Sequence, residues 1–259
     1  MTVAPEPPGR TSILGVEVDR LSRAEALARV TELVERPTPA LVAFANAHAL
    51  NVAARQPRFA AVLARADLVL NDGSGLAIAG RLVGRPFPEN LNGSDFVPAV
   101  VELAARSGWR VYLLGALPGV AAAAADVFRA QAPGLVVCGV HDGHFPDEAS
   151  AAVAAEVRTA RADVLLVAMG NPRQELWLAD WLGETGASIG FGVGALFDFQ
   201  SGRVRRAPAW MNRAGVEWAF RLAQEPRRLA RRYLVGNPLF LARVAPSLAR
   251  RPLGRGRRA

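Results

Sequence analysis

The 259-residue chain has no lysine and a single cysteine, Cys138. One thiol excludes a disulfide framework and a multi-cysteine metal site within one chain. Cys138 lies in the apolar run LVVCGV and reads as a small core residue rather than a nucleophile. Long hydrophobic runs are also missing: no window approaches the ~18 consecutive apolar residues of a membrane span. The opening MTVAPEPPGR has prolines and no apolar h-region, so it does not read as a signal peptide. The expectation is a cytoplasmic protein without a transmembrane helix. Gly 24 and Pro 18 are ordinary counts and imply nothing fibrous.

What is present is arginine, unevenly placed. The net charge is +8. From Arg203 onward there are 15 arginines against Glu217 and Glu225, a net of +13, whereas residues 1–202 carry 16 basic and 21 acidic residues, a net of −5. A mildly acidic body with a basic tail points to an anionic partner for the tail, either nucleic acid or membrane lipid. No nucleic-acid reading motif is recognisable there. Tryptophans, leucines and arginines on one segment suit an interfacial helix on anionic headgroups better, with a solvated surface helix as the bland alternative.

Apolar runs of strand length alternate with Ala/Leu/Arg stretches of helix length. Strands are expected at Ile13–Val18, Leu41–Ala45, Leu68–Leu70, Arg110–Leu114, Leu135–Val140, Val164–Ala168 and Ser188–Val193. Helices are expected at Ser22–Glu35, from His48 to Ala64 with a break before Pro57, at Gly75–Val83, Ser94–Ser107 (capped by Ser94), Val120–Gln131, Asp147–Thr159 and Pro172–Leu182. This alternation predicts an α/β fold, a Rossmann-like parallel sheet with helices on both faces. Trp210–Arg232 has helical spacing, Gly236-Asn237-Pro238 reads as a break, and Leu239–Leu248 as a short last helix. The expected organisation is a disordered N-terminus over 1–10, a core over 11–201, a helical basic appendage over 202–248 and a disordered Arg-rich tail over 249–259. The core is expected to fold without residues 203–259.

Polar residues and glycines gather at the predicted C-terminal ends of strands, where doubly wound sheets bind ligands. Asn46, Asp72, Gly115, Gly170-Asn171 and Gly194 occupy five such ends. Asp72, between a buried strand and Gly73-Ser74-Gly75, is a candidate general base; it is equally a candidate helix N-cap. Gly115 to Gly119 could cradle a phosphate or be a plain strand-to-helix turn, and it lacks the dinucleotide glycine pattern. Gln174 could reach a sugar or base and Arg173 a phosphate, or the segment could simply start a helix; Glu175 is explained by the helix dipole. His141 and His144 lack further ligand partners nearby and read as a loop at the sheet edge. Asp198 could bind a donor or cap a helix.

Several segments occur in a familiar order: Asn46, Asn71-Asp72-Gly73, Pro88-Glu89 with Gly93 and Asp95, Gly115 with Pro118-Gly119, Gly170 through Gln174-Glu175, Gly192 through Asp198, and Gly202 with Arg206-Ala-Pro208. This set resembles the bacterial WecG/TagA/CpsF glycosyltransferase family, from about Ile13 to Tyr233. The resemblance implies a metal-independent, inverting enzyme without a cofactor. It would move N-acetylmannosamine or a related sugar from a UDP donor to an undecaprenyl-diphosphate-linked sugar. It implies Asp72 as base, and Asn46 and Gln174 as substrate-binding residues; the reading of the residues themselves adds Asp198, Gly115, Gly170 and Gly194 as further substrate-binding candidates. It also implies a basic appendage that docks on the inner face of the membrane. The family arginine after Pro-Glu is Asn90 here, so Arg206, Arg221 and Arg228 become candidates for the diphosphate. Phe44 and Ala45 replace the Thr-Pro of teichoic-acid members. A homo-oligomer is left open. The rival readings are a non-catalytic nucleotide-binding module whose tail binds nucleic acid or a partner, and a Rossmann oxidoreductase.

Overall fold

The computed structural model describes residues 9–208, 210–211 and 215–246. The expected terminal tails therefore lie almost wholly outside the described residues. Six strands form one parallel sheet: β3 (Ala40–Ala45), β4 (Leu68–Asn71), β5 (Arg110–Gly115), β6 (Val136–His141), β7 (Val164–Ala168) and β8 (Ile189–Gly192). Their spatial order is β4-β3-β8-β7-β5-β6. Strands β4, β7 and β8 are buried at every position, which is why they read as unbroken apolar runs.

Helices cover both faces. On one lie α1 (Arg23–Val34), α5 (Gly93–Ser107), α6 (Val120–Gln131) and the short α9 (Leu196–Gln200), around Phe96, Phe128, Phe191 and Phe197. On the other lie α2 (Ala47–Ala53), α3 (Pro57–Arg65), α4 (Ser74–Leu82), α7 (Ser150–Ala160) and α8 (Arg173–Thr185). Helix α1 starts at a full capping box, with Ser22 and Glu25 satisfying each other's backbone N–H groups. The break before Pro57 is present, and Pro57 opens α3.

Three expectations are corrected. The first strand is a hairpin, β1 (Gly9–Ile13) and β2 (Val16–Arg20), closed by Leu14 and Gly15 at φ of 51° and 81°. Both turn residues are left-handed, the geometry that matches strand twist in a two-residue loop. The hairpin stays out of the main ladder and shields its β4 edge: Val69 N–H donates to Asp19 Oδ2 at 2.8 Å. Second, Ser94 does not cap α5. Asn92 does, its Oδ1 accepting from Asp95 N–H at 3.0 Å.

Third, Trp210–Arg232 is not one helix. Its described parts include helices Glu217–Gln224 and Pro226–Ala230, and Gly236-Asn237-Pro238 does not interrupt the chain that follows. A wide π turn over Arg231–Val235, closed by Gly236 N–H on the Arg231 carbonyl, leads straight into helix Gly236–Val244. Pro238 sits in the first turn, where its missing N–H costs little. The end of the appendage packs directly on the core. Phe240 and Val244 are 0% and 1% exposed and pack with Ala47, Leu50 and Leu76 of α2 and α4. Asn51 donates to the Gly236 carbonyl at 2.8 Å and accepts from Arg243 at 2.8 Å.

Candidate active site

Because every strand of the main sheet runs the same way, their C-terminal ends share one edge. A cleft of about 1190 Å³ opens there, roofed by the appendage. Its lining includes Asn46, Asp72, Gly170, Gln174, Gly194 and Asp198 from the core and Arg221 and Arg228 from the appendage. Eight of the ten candidates for catalysis, substrate binding and diphosphate binding thus come together. Two do not. Gly115 is behind the wall, where a Cβ would stand 2.5 Å from the Ala168 carbonyl oxygen. Its glycine is needed for close strand packing, and Ala116 and Leu117 face the cleft instead. Arg206 is likewise not part of the lining and is ion-paired with Asp95.

Asp72 and Asn46 follow adjacent strands, and the β3–β4 register brings them side by side. Asn46 Oδ1 accepts from Ala49 N–H at 2.9 Å and caps α2, which turns its Nδ2 toward Asp72 Oδ2 at 3.0 Å. One carboxylate oxygen of Asp72 is thereby held by a neutral donor. Asp72 N–H bonds to the Ala45 carbonyl, and Gly73 N–H to Asn90 Oδ1 at 2.9 Å. Asn90 therefore braces the Asp72-Gly73 turn, a task different from an arginine's. Asp72 is not the cap of α4; Gly73 is, at φ of 88°.

The β7–β8 side of the cleft is a network of amides. Gln174, 2% exposed, accepts through Oε1 from Gly170 N–H at 3.0 Å and Gly194 N–H at 2.9 Å. Its Nε2 donates to Glu175 Oε1 at 2.8 Å, and Asn171 Nδ2 donates to the same oxygen. Glu175 is fully buried, so the helix dipole is not the whole reason for it. Burial pushes its carboxyl up to about 7, only partly offset by the bonds from Gln174 and Asn171.

The appendage side is charged. Arg203 pairs with Asp198 at 2.7 Å and Arg228 with Glu225 at 2.6 Å. Arg221 and Arg232 have no carboxylate partner among the described residues. Arg221 lies over the Phe199 ring at 5.0 Å with its Nε buried and unbonded, and Arg232 lies over Tyr233 at 5.6 Å. Burial lowers the Arg232 pKa; Tyr233 and the Asp72 charge oppose this, and the like charges of Arg221 and Arg228 add to it. Burial and Arg232 together lower the His48 imidazole to about 4, so it is neutral near pH 7. Burial pushes the Glu217 carboxyl up; Arg206 opposes this and the Asp72 charge adds to it.

His48, Glu217, Arg232 and Tyr233 line the cleft although the sequence did not single them out. Each sits within a helical segment, with no turn motif to draw attention. His144 lines the cleft and His141 does not; among the described residues no cluster of three or more His, Cys, Asp or Glu is arranged to hold a metal ion. No helix of the described residues is long and apolar enough to cross a membrane.

The model of the glycosyl transferase WecG/TagA/CpsF family matches residues 11–253. A protein of Bacillus spizizenii named N-acetylglucosaminyldiphosphoundecaprenol N-acetyl-beta-D-mannosaminyltransferase is 30% identical over 214 residues, covering 83% of this chain and 82% of its own. A Bacillus subtilis protein of the same name is 27% identical over 198 residues, covering 76% of this chain and 77% of its own. With the parallel sheet and the shared cleft, these matches identify the chain as a member of the WecG/TagA/CpsF family of glycosyltransferases.

Proposed function

We propose that the protein is an inverting glycosyltransferase. It would move N-acetylmannosamine or a related hexose or uronic acid from a UDP donor to a sugar carried on undecaprenyl diphosphate, in cell-wall or exopolysaccharide synthesis. The relatives' names support the acceptor class and the sugar. The observation that carries the chemistry is the Asn46–Asp72 pair in a cleft that is also lined by Arg221 and Arg232, which have no carboxylate partner among the described residues.

In this reading the acceptor hydroxyl oxygen attacks the anomeric carbon from the face opposite UDP. A new C–O bond forms as the bond to the β-phosphate oxygen breaks. The hydroxyl proton passes to Asp72, and the electron pair leaves on the diphosphate. Asn46, committed by its cap to offer Nδ2, holds one Asp72 oxygen and leaves the other for the proton. Arg221, Arg228 and Arg232 would meet the growing negative charge where water is partly excluded, and no metal or cofactor is assigned a step. Gly170, Gly194 and Gly73 N–H groups already have protein acceptors, so arginines rather than those amides are suited to the leaving group.

A peripheral place on the inner membrane face fits the appendage surface. Leu234 and Val235 are 58% and 59% exposed, with exposed Arg227 and Arg231 close by in sequence, and Trp210 is 60% exposed. Apolar side chains beside arginines suit anionic headgroups. The test is a donor screen: purified protein, a panel of UDP-sugars and a short-chain polyprenyl-diphosphate-linked N-acetylglucosamine. Transfer from a UDP-sugar supports the reading. No transfer from any of them, or transfer with retention at the anomeric carbon, refutes it.

A further inference from the structure

The most fully built group behind the cleft wall that the mechanism above leaves idle is the buried carboxyl of Glu175, which holds the lining residues Asn171 and Gln174. Its Oε1 stands between two carboxamides, accepting from Asn171 Nδ2 and from Gln174 Nε2. Its Oε2 is buried with no partner among the described residues. The site is tailored to this group: a Cβ on Gly192 would come within 2.8 Å of Gln174 Nε2 and 3.0 Å of Glu175 Oε1.

An accepting oxygen between two amides has a directional consequence. Each amide must turn a nitrogen toward it and therefore its own oxygen away. For Gln174 the oxygen then meets Gly170 and Gly194 N–H. A flipped Gln174 would set its NH₂ against both backbone donors and its oxygen against Glu175, losing all three bonds. For Asn171, which lines the cleft, the same constraint leaves Oδ1 as the uncommitted acceptor. Resting on the reading of the cleft as a sugar-nucleotide site, we propose that Glu175 is a positioning residue. It locks both carboxamides so that Asn171 Oδ1 receives a hydroxyl or N–H of the nucleotide sugar, while Gln174 holds the Gly170 and Gly194 loops at the matching width.

A buried carboxyl that only filled space would be replaceable by any side chain of its length. A positioning carboxyl needs an acceptor oxygen. Glu175→Gln keeps that oxygen and Glu175→Met does not. Calorimetric titration of the full chain with UDP and with UDP-N-acetylmannosamine, alongside steady-state transfer, separates the two. The expected result is that Glu175→Gln binds the nucleotide sugar within about threefold of the parent, whereas Glu175→Met binds it about tenfold more weakly or worse, with the loss in KM for the donor more than in kcat. A loss seen with UDP alone would place the contacted group on the nucleotide, and one seen only with the nucleotide sugar would place it on the sugar.

Equal affinity of Glu175→Met and the parent overturns the proposal, as does equal weakening by Gln and Met. Should Glu175→Met fail to fold, Asn171→Ala at the cleft surface removes the accepting oxygen directly and is expected to show the same loss. Parent-like binding by Asn171→Ala also overturns the proposal. A parent protein that neither binds nor transfers from the nucleotide sugar refutes the sugar-nucleotide reading and this proposal with it. Normal parent behaviour with unaffected variants refutes this proposal alone.

Discussion

The two walls of the cleft are built on opposite principles. On the β7–β8 wall, the cluster around Gln174 and Glu175 is tightly bonded within the protein: two backbone N–H groups and two carboxamides are committed to one another. On the appendage wall, Arg221 and Arg232 face the same cavity over aromatic rings, with no carboxylate partner among the described residues. Preformed neutral contacts give shape and orientation, because they need no rearrangement when a ligand arrives. Arg221 and Arg232 feel each other's like charge, which the nearby Asp72 and Glu217 offset only at a distance, so an anion in direct contact would relieve it. For the proposed reaction this contrast corresponds to a division of labour, with neutral parts of the substrate on the core wall and its diphosphate on the appendage wall.

The strongest challenge to this contrast is to discharge the appendage wall. Replacing both Arg221 and Arg232 by alanine is expected to lower kcat/KM about 10³-fold, about 4 kcal/mol of transition-state stabilisation, with the fold retained. Steady-state transfer kinetics check this, and a loss under tenfold would mean that the diphosphate lies elsewhere. Next is the anchor of that wall. Phe240→Ala would open a cavity between α2 and α4 and is expected to cost about 3 to 4 kcal/mol in chemical denaturation. A change below about 1 kcal/mol would mean that the appendage is separable from the core, the arrangement the sequence suggested.

A smaller effect tests the core wall through pH. Glu175 titrates at about 7 in the fold, against 4.5 ordinarily. The folded state therefore binds the extra proton between those values, and stability falls as pH rises through that window. Glu175→Gln is expected to abolish this fall, gaining on the parent by on the order of 2 to 3 kcal/mol between pH 4.5 and pH 8. Thermal or urea melts across that range check it, and parallel curves would contradict it. His48 gives the opposite and weaker slope. Its value drops to about 4 from 6.5, so the unfolded state binds the extra proton and stability is lost as pH falls through that range. The effect is damped because the ring is half-exposed, and His48→Gln should flatten it.

The sheet was legible because its strands are buried on both faces. Val164–Ala168 and Val120–Gln131 fall where the apolar run and the helical period put them. The hairpin was hidden because Leu14-Gly15 interrupts nothing in hydropathy; the cue was the alternation in GRTSI and VEVDR on either side. Asn92 and Ser94 are both cap residues, and only Asn92 has an acidic residue three positions on to return the bond, as Asn92 Nδ2 to Asp95 Oδ2 does at 2.7 Å. Of the site, residues at strand ends could be placed because the topology places them. Gly115 could not be told from a ligand-facing glycine, since its reason is a neighbouring strand's carbonyl. Which arginine enters the cleft depends on Asp95, which draws Arg206 away, and on the π turn that carries Arg232. Neither is a local property of sequence.

In the proposed reaction Asp72 takes the acceptor's proton. The direct measurement is single-turnover transfer by Asp72→Asn, with UDP-sugar affinity measured on the same preparation. The side chain keeps its size and its neighbour Asn46 but loses its basicity. With Asp72 as the base, the rate is expected to fall about 10²- to 10⁴-fold with donor affinity within about threefold. A variant that transfers at near the parent rate would contradict it.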